Sequence, residues 1–325
     1  MKVQITILLY FFIAFQLSSC GSTKATQLRI NLEDSNCNRN FVNSYQEENL
    51  PEPLHEKELS EALTTNFTYK SLNVAHAIGI LKLLEDFLTI NQAHSINKSI
   101  ENRLSLLEIK QELNQRINLS SLEISAIISE IDCEEERTDQ IANFLKMKED
   151  KAETNLTVAA IIVGATGAII AGSMLANGNN GTAPELVGIG AGLTEATLGL
   201  LILLNKRKVK FEHKRNPLQH VWDARKNSSI FPSSVWYYLN YFNPEEDYEP
   251  SLRYQVVEQW MNYGQIFDTN SKKRKKLTSI YFGEGGKYTS EQLFNRANML
   301  DQVEAAVSLM KQDLKTLAKE IENIN

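Results

Sequence analysis

Two apolar segments, residues 156–176 and 186–204, lie either side of the turn-forming stretch "NGNNGTAPE". Each is long enough to run roughly 30 Å as helix, the thickness of a bilayer's hydrocarbon core. Small residues recur along them at a spacing of four: Ala160, Gly164, Ala168, Gly172 and Ala176 in the first, Gly188, Gly192 and Ala196 in the second. Such rows let two helix backbones approach closely, so the pair reads as an antiparallel hairpin packed through its small residues. One carboxylate, Glu195, sits in mid-segment, where an ionised group facing lipid is costly.

The N-terminus bears on which side of a membrane this hairpin meets. Lys2 is followed by an apolar run from Ile5 to Phe15, the pattern of a secretory signal peptide. It ends in Leu17-Ser18-Ser19-Cys20, which resembles the lipobox of bacterial lipoproteins. The resemblance implies cleavage before Cys20, lipidation of that cysteine, and a chain held in the cell envelope by its acyl chains. Gly21 stands where an aspartate would signal inner-membrane retention, so the resemblance points to the outer membrane, facing the periplasm.

A basic cluster, "KRKVKFEHKR", follows the second apolar segment. With Cys20 anchored outside the cytoplasm, a two-span hairpin returns these cations to the same outer side, against the positive-inside tendency. Three readings follow. The hairpin enters the membrane after export, with Lys206, Arg207, Lys208 and Lys210 against anionic headgroups. Alternatively it forms the buried end of a helical bundle, or it is stored within the fold and inserted on assembly.

The remaining sequence is helical in character. Among 325 residues there are only 7 prolines and 15 glycines, and the net charge of −6 does not suit a nucleic-acid binder. Residues 1–19 read as the signal peptide and 20–53 as a polar tether. Residues 54–155 read as antiparallel amphipathic helices, with Leu72, Ala75, Ile78, Leu81 and Leu84 on one stripe and Ile96, Ile100, Leu104 and Leu107 on the next. A third helix is expected to start near Ser120 or Ser121 and to run unbroken into the hairpin at 156–205. At about 55 residues it would extend roughly 80 Å.

Residues 206–288 form a basic segment and an aromatic-rich head, with "KKLTSIYFGEGGKYT" read as a β-hairpin around Gly283 to Gly286. In 289–325, Leu293, Leu300, Val307, Leu314 and Ile321 repeat every seven residues, with Val303, Met310, Leu317 and Ile324 as companions. That seam can pair with another copy or an envelope partner, or pack antiparallel on the long central helix. With Cys20 lipidated, Cys37 and Cys133 remain as a candidate disulfide.

No pattern points to catalysis, a cofactor or a metal. His55, His76, His94, His213 and His220 form no helix-spaced ligand pair, and the glycines of "GIGAGLTEATLG" follow no strand. His220 with Asp223, the acidic "DCEEER" around Cys133 and the basic run Lys272 to Lys276 read as structural or solvated groups. The fold expected is mainly α: an elongated helical bundle or coiled coil with a glycine-rich hairpin and a small head. The function expected is a non-enzymatic, lipid-anchored envelope scaffold or assembly component. An apolar hairpin between long helices also resembles, in architecture alone, the α-helical pore-forming toxins. That resemblance implies a pore-forming or membrane-perturbing role as the alternative, and an envelope ligand-binding protein is the third.

Overall fold

From Ile100 to Ala176 the chain is a single α-helix of 77 residues, roughly 115 Å long. Nothing between its ends stops it, because no proline or glycine occurs before Gly164. Ser99 caps its start by accepting a hydrogen bond from the Asn102 N–H at 3.2 Å. The expected start at Ser120 or Ser121 is therefore corrected: Ser120 is buried in the helix interior. A hydroxyl marks an N-terminus only where the preceding backbone leaves the helix, and here it does not.

The structure is a computed structural model and describes residues 37–38, 50–178, 181–244, 250–266 and 271–324. The predicted leader, Cys20 and most of the tether lie outside the described residues. One compact unit spans Cys37–Asn325. Its described residues are mainly α, with one two-stranded sheet.

After a 3₁₀ turn at Leu54–Glu56 come α1 (Glu61–Asn66), α2 (Tyr69–Ala77), α3 (Leu81–Ile96) and the long helix, α4 (Ile100–Ala176). The stripe from Leu72 to Leu84, expected as one helix, breaks between α2 and α3. Gly79 takes a left-handed φ of 72°. The N–H groups of Gly79 and Ile80 bond back to the carbonyls of His76 and Ala75 at 3.0 and 2.9 Å, a Schellman stop. Then follow α5 (Thr182–Leu204), β1 (Val209–Glu212), α6 (Pro217–Asp223), α7 (Ser233–Asn240), α8 (Leu252–Asn262), α9 (Ser271–Phe282), β2 (Gly285–Tyr288) and α10 (Ser290–Asn323).

One seam on α4 organises the packing. Ile109, Leu113, Ile117, Ile124, Ile127, Ile131, Ile141 and Leu145 are all buried at spacings of three, four or sums of the two. Along its length α4 meets α3, then α10, then α5. The C-terminal heptads supply the middle partner: Leu293, Leu300, Val303, Val307, Met310, Leu314, Leu317 and Ile321 are buried within the same chain. Ile324 lies just past the helix end. Helices α10 and α4 run antiparallel, since Ser290 touches Glu149 while Glu304, further along, feels the charge of Asp132.

Helix α10 has 34 residues, starts opposite Glu149, and ends before it reaches the first turns of α4. That explains a second correction. Ile96, Ile100, Leu104 and Leu107, read as a packing stripe, are 80, 81, 55 and 57% exposed. Among the described residues α3 packs on this end of α4, on the side that carries Ile109 and Leu113.

The head differs from its expected form. "LTSIYF" belongs to α9, and β2 pairs antiparallel with β1, Val209 opposite Tyr288 and Glu212 opposite Gly285. The glycines serve close strand approach instead of a tight hairpin turn: a Cβ at Gly285 would collide with the Phe211 carbonyl. Trp222 and Trp260 stack on Phe282 at centroid distances of 4.5 and 5.7 Å, holding α6, α8 and α9 together. Arg215 then binds Glu130 of α4 at 2.8 Å, with Glu130 itself buried. Arg296 of α10 is fully buried and donates to Asn216 Oδ1 and the Tyr281 carbonyl.

Two histidines are enclosed in this head. Burial, then the Arg296 charge, depress His213, whose Nε2 lies 2.7 Å from the Tyr288 hydroxyl. Burial, then Arg225 and Arg215, lower His220 to about 4. Both are neutral when folded at pH 7 and titrate near 6.5 when unfolded. Below about 6.5 the unfolded chain takes up protons that the folded chain refuses, so stability is full above that pH and falls as pH drops. The urea midpoint should decline between about pH 7.5 and 5.5, and His220→Gln should flatten the decline. A pH-independent midpoint would contradict this account.

Cys37 and Cys133 form a disulfide with an S–S distance of 2.04 Å, joining the start of the compact unit to the middle of α4 across 96 residues. Cross-linking across so long a loop restricts the unfolded chain and stabilises by up to about 4.7 kcal/mol. Reductant should lower the urea midpoint of the native protein and leave a Cys37→Ser variant unchanged.

Candidate membrane-engaging hairpin

The last part of α4 and the whole of α5 form the antiparallel hairpin. Its turn begins at Asn177 and Gly178, the latter at φ 79°, and Gly181 precedes the first residue of α5. Pro184 falls in the first turn of α5, where backbone N–H groups have no partner within the helix. Both helices are long and apolar enough to cross a membrane. Of their most apolar windows, 6% of residues in the first and none in the second are buried inside the chain. The outer surface is a continuous apolar coat: Ile161, Ile162, Ile169, Leu186, Ile189, Leu193, Leu200 and Leu203 are each more exposed than buried.

The helices touch through a set of residues that shares only Ala160 and Gly164 with the rows spaced by four. Gly164 faces Glu195, whose carboxylate occupies the space a Cβ would need. Gly167 faces Ala191, with a Cβ position 2.5 Å from the Ala191 Cβ. Val163, Ala171 and Met174 continue this face on α4, and Val187, Thr194, Leu198 and Ile202 continue it on α5. Ala160 lies at the same contact, whereas Ala168, Gly172, Ala176, Gly188, Gly192 and Ala196 are exposed. The reason is angular. Each four-residue step overshoots a turn by about 40°, so four steps carry a row about 160° around the helix. A contact face must alternate threes and fours.

Glu149 ties the hairpin to the rest of the fold. Its side chain accepts from the Arg207 N–H at 2.7 Å through one oxygen and from the Ser290 hydroxyl at 2.7 Å through the other. Its carbonyl accepts from the Asn205 side chain at 3.3 Å. One residue of α4 thereby fixes where α5 leaves the hairpin and where α10 begins. Sequence reasoning missed it, because within "KMKEDK" nothing distinguishes Glu149 from its charged neighbours.

Of the cations expected at the base, Lys206 lies 3.7 Å from Glu291 and Lys210 is paired with Glu212, while Lys208 and the Arg207 side chain are exposed. Among the described residues Glu195 has no hydrogen-bond or ion-pair partner.

Other candidate groups are structural in their contacts. His220 Nδ1 is 2.8 Å from Ser228 Oγ, a spacing that suits a base and its nucleophile. Yet Ser228 Oγ already accepts the N–H groups of Ile230 and Phe231, and the other side of His220 meets Arg225 at 3.3 Å instead of a carboxylate. Asp223 pairs with Arg225 at 3.6 Å. In "DCEEER", Cys133 is in the disulfide and Glu134 pairs with Arg137 at 2.9 Å. Lys272 to Lys276 are exposed on α9. Among the described residues no group of His, Cys, Asp or Glu is placed to hold a metal ion. No protein-family model matches the chain, and neither a curated protein nor a solved structure matches it.

Changing Gly164 and Gly167 to Leu should force the helices apart, since overpacking a close contact costs about 1–3 kcal/mol. Spin labels on the exposed positions Ile169 and Leu193 would then report a longer, broader distance. Gly172→Leu should leave the distance unchanged, because nothing lies within 4 Å of a Cβ there.

Proposed function

We propose that this chain is a non-enzymatic scaffold or assembly component of the bacterial cell envelope, lipid-anchored at Cys20, that engages a membrane through its hairpin. The observation that carries the reading is the exposed apolar coat on both hairpin helices, which ends at the Glu149 junction. Water would leave that surface unfavourably hydrated; hydrocarbon would not. Insertion from the outer face requires moving only the turn, which holds Glu185 and no Lys or Arg, while the basic segment stays in water. The α4–α10 bundle and the head then stand on the aqueous side as the surface available to envelope partners.

A pore-forming role is the second reading, and Glu195 favours it. A carboxylate without a protein partner halfway along α5 suits a face that meets water or another polar group better than one that meets lipid.

Both readings are tested with the polypeptide from Gly21 onward, which lacks leader and acyl chains. It should float with phospholipid vesicles and resist carbonate extraction. The double variant Ile169→Lys, Leu193→Lys, altered only at exposed positions, should release it. Complete release of the unaltered polypeptide would overturn membrane engagement by the hairpin. Leakage of a trapped dye would favour the pore over the scaffold.

A further inference from the structure

Three cations from two separate stretches lie at one level of the hairpin base without an ion-pair partner among the described residues: Lys151 on α4, and Arg207 and Lys208 just beyond α5. All three are exposed. Their shared level follows from the junction, where the Arg207 N–H and the Asn205 side chain both bond to Glu149, two residues from Lys151. Lys151 lies five helical residues before Leu156, about 8 Å along the axis, and Arg207 lies three residues after Leu204, within about 10 Å of the end of the apolar coat. The other charges at this level largely cancel. Lys146 pairs with Asp150 at 2.7 Å, Lys206 is near Glu291, and Lys210 is bonded to Glu212. Lys148, over the Phe144 ring at 5.3 Å, is a further cation that offsets the Glu149 carboxylate. Glu153, exposed on α4 one turn beyond Glu149, opposes the three.

We infer that Lys151, Arg207 and Lys208 form a headgroup collar that makes the hairpin select an anionic phospholipid surface. This rests on the membrane-engaging reading above and adds to it the charge of the surface engaged. Hydrocarbon burial carries no preference between lipid types, whereas cations held at headgroup depth attract anionic lipid. Arg207 and Lys208 are consecutive after α5, and Lys151 is brought to them only by the folding of the hairpin. With Glu153 subtracted, two net charges at roughly fivefold each give a preference of about twenty-fivefold for anionic over zwitterionic vesicles.

The test measures binding of the polypeptide from Gly21 onward to vesicles of phosphatidylcholine alone and of phosphatidylcholine mixed with phosphatidylglycerol, at low salt. The collar predicts about twenty-fivefold tighter binding to the mixed vesicles. High salt should abolish that preference. The triple variant K151Q/R207Q/K208Q should bind phosphatidylcholine as before and lose most of the preference. Equal binding to both vesicles by the unaltered chain would overturn the collar while leaving membrane engagement intact. A preference that survives the triple variant and is lost in R274Q/K275Q/K276Q would overturn it in favour of the α9 run. Binding to neither vesicle would overturn the membrane reading and the collar together.

Discussion

The helices α3, α5 and α10 are all positioned by a single apolar seam on a single helix, and the head packs in turn on α10. An α-helix of 77 residues keeps one face turned inward only where apolar or small side chains recur by alternating threes and fours. On α4 they do so through two environments. From Ile109 to Leu145 the seam is built of branched aliphatic residues that bury against α3 and α10. Beyond Leu156 it is built of Val163, Gly164, Gly167 and Ala171, which admit α5 at closer range. The change in residue size alters how near the partner comes without altering the face.

Continuity of that helix makes the junction at Glu149 consequential. A rigid rod transmits position, so a contact at one point on α4 fixes the level of everything bonded there. The carboxylate of Glu149 holds the exit of α5 and the start of α10 at one height, and β1 and β2 then pair directly above it. The head is thereby attached through both of its ends. Arg215 to Glu130 and the buried Arg296 extend the attachment along α4 and α10 with charged groups whose partners lie outside their own element. Each such buried charge is costly unless its geometry is kept, which favours one docking of the head over others.

Helical class, the unbroken run into the first apolar segment and the C-terminal heptads were legible because they are local. Periodicity and the absence of breakers act within a few turns, and α10 buries the heptad positions that its spacing marks, up to Ile321. The stop at Gly79 was also local but depends on one residue adopting φ 72°, which a stripe of apolar residues conceals. The small-residue rows were misleading in a specific way. Gly172 and Gly188 have the residue type that close packing needs, at a spacing that rotates them out of the contact. At the head, "GEGGKY" carried glycines suited to a turn, and their use in pairing with "VKFE" arose from a strand 73 residues upstream, since Gly285 opposes Glu212.

By itself the sequence determined that this chain is built of helices, that two of them are apolar enough to span a bilayer, and that its C-terminal helix has one continuous face to bury. Those properties follow from side-chain size and charge read over a few turns. Only the tertiary structure decided that the heptads close on α4 of the same chain, that Gly164 and Gly167 make the hairpin contact, and that Glu149 joins hairpin, bundle and head. Those outcomes depend on which surfaces meet, and with α4 continuous for 77 residues the choice is made between partners distant in sequence.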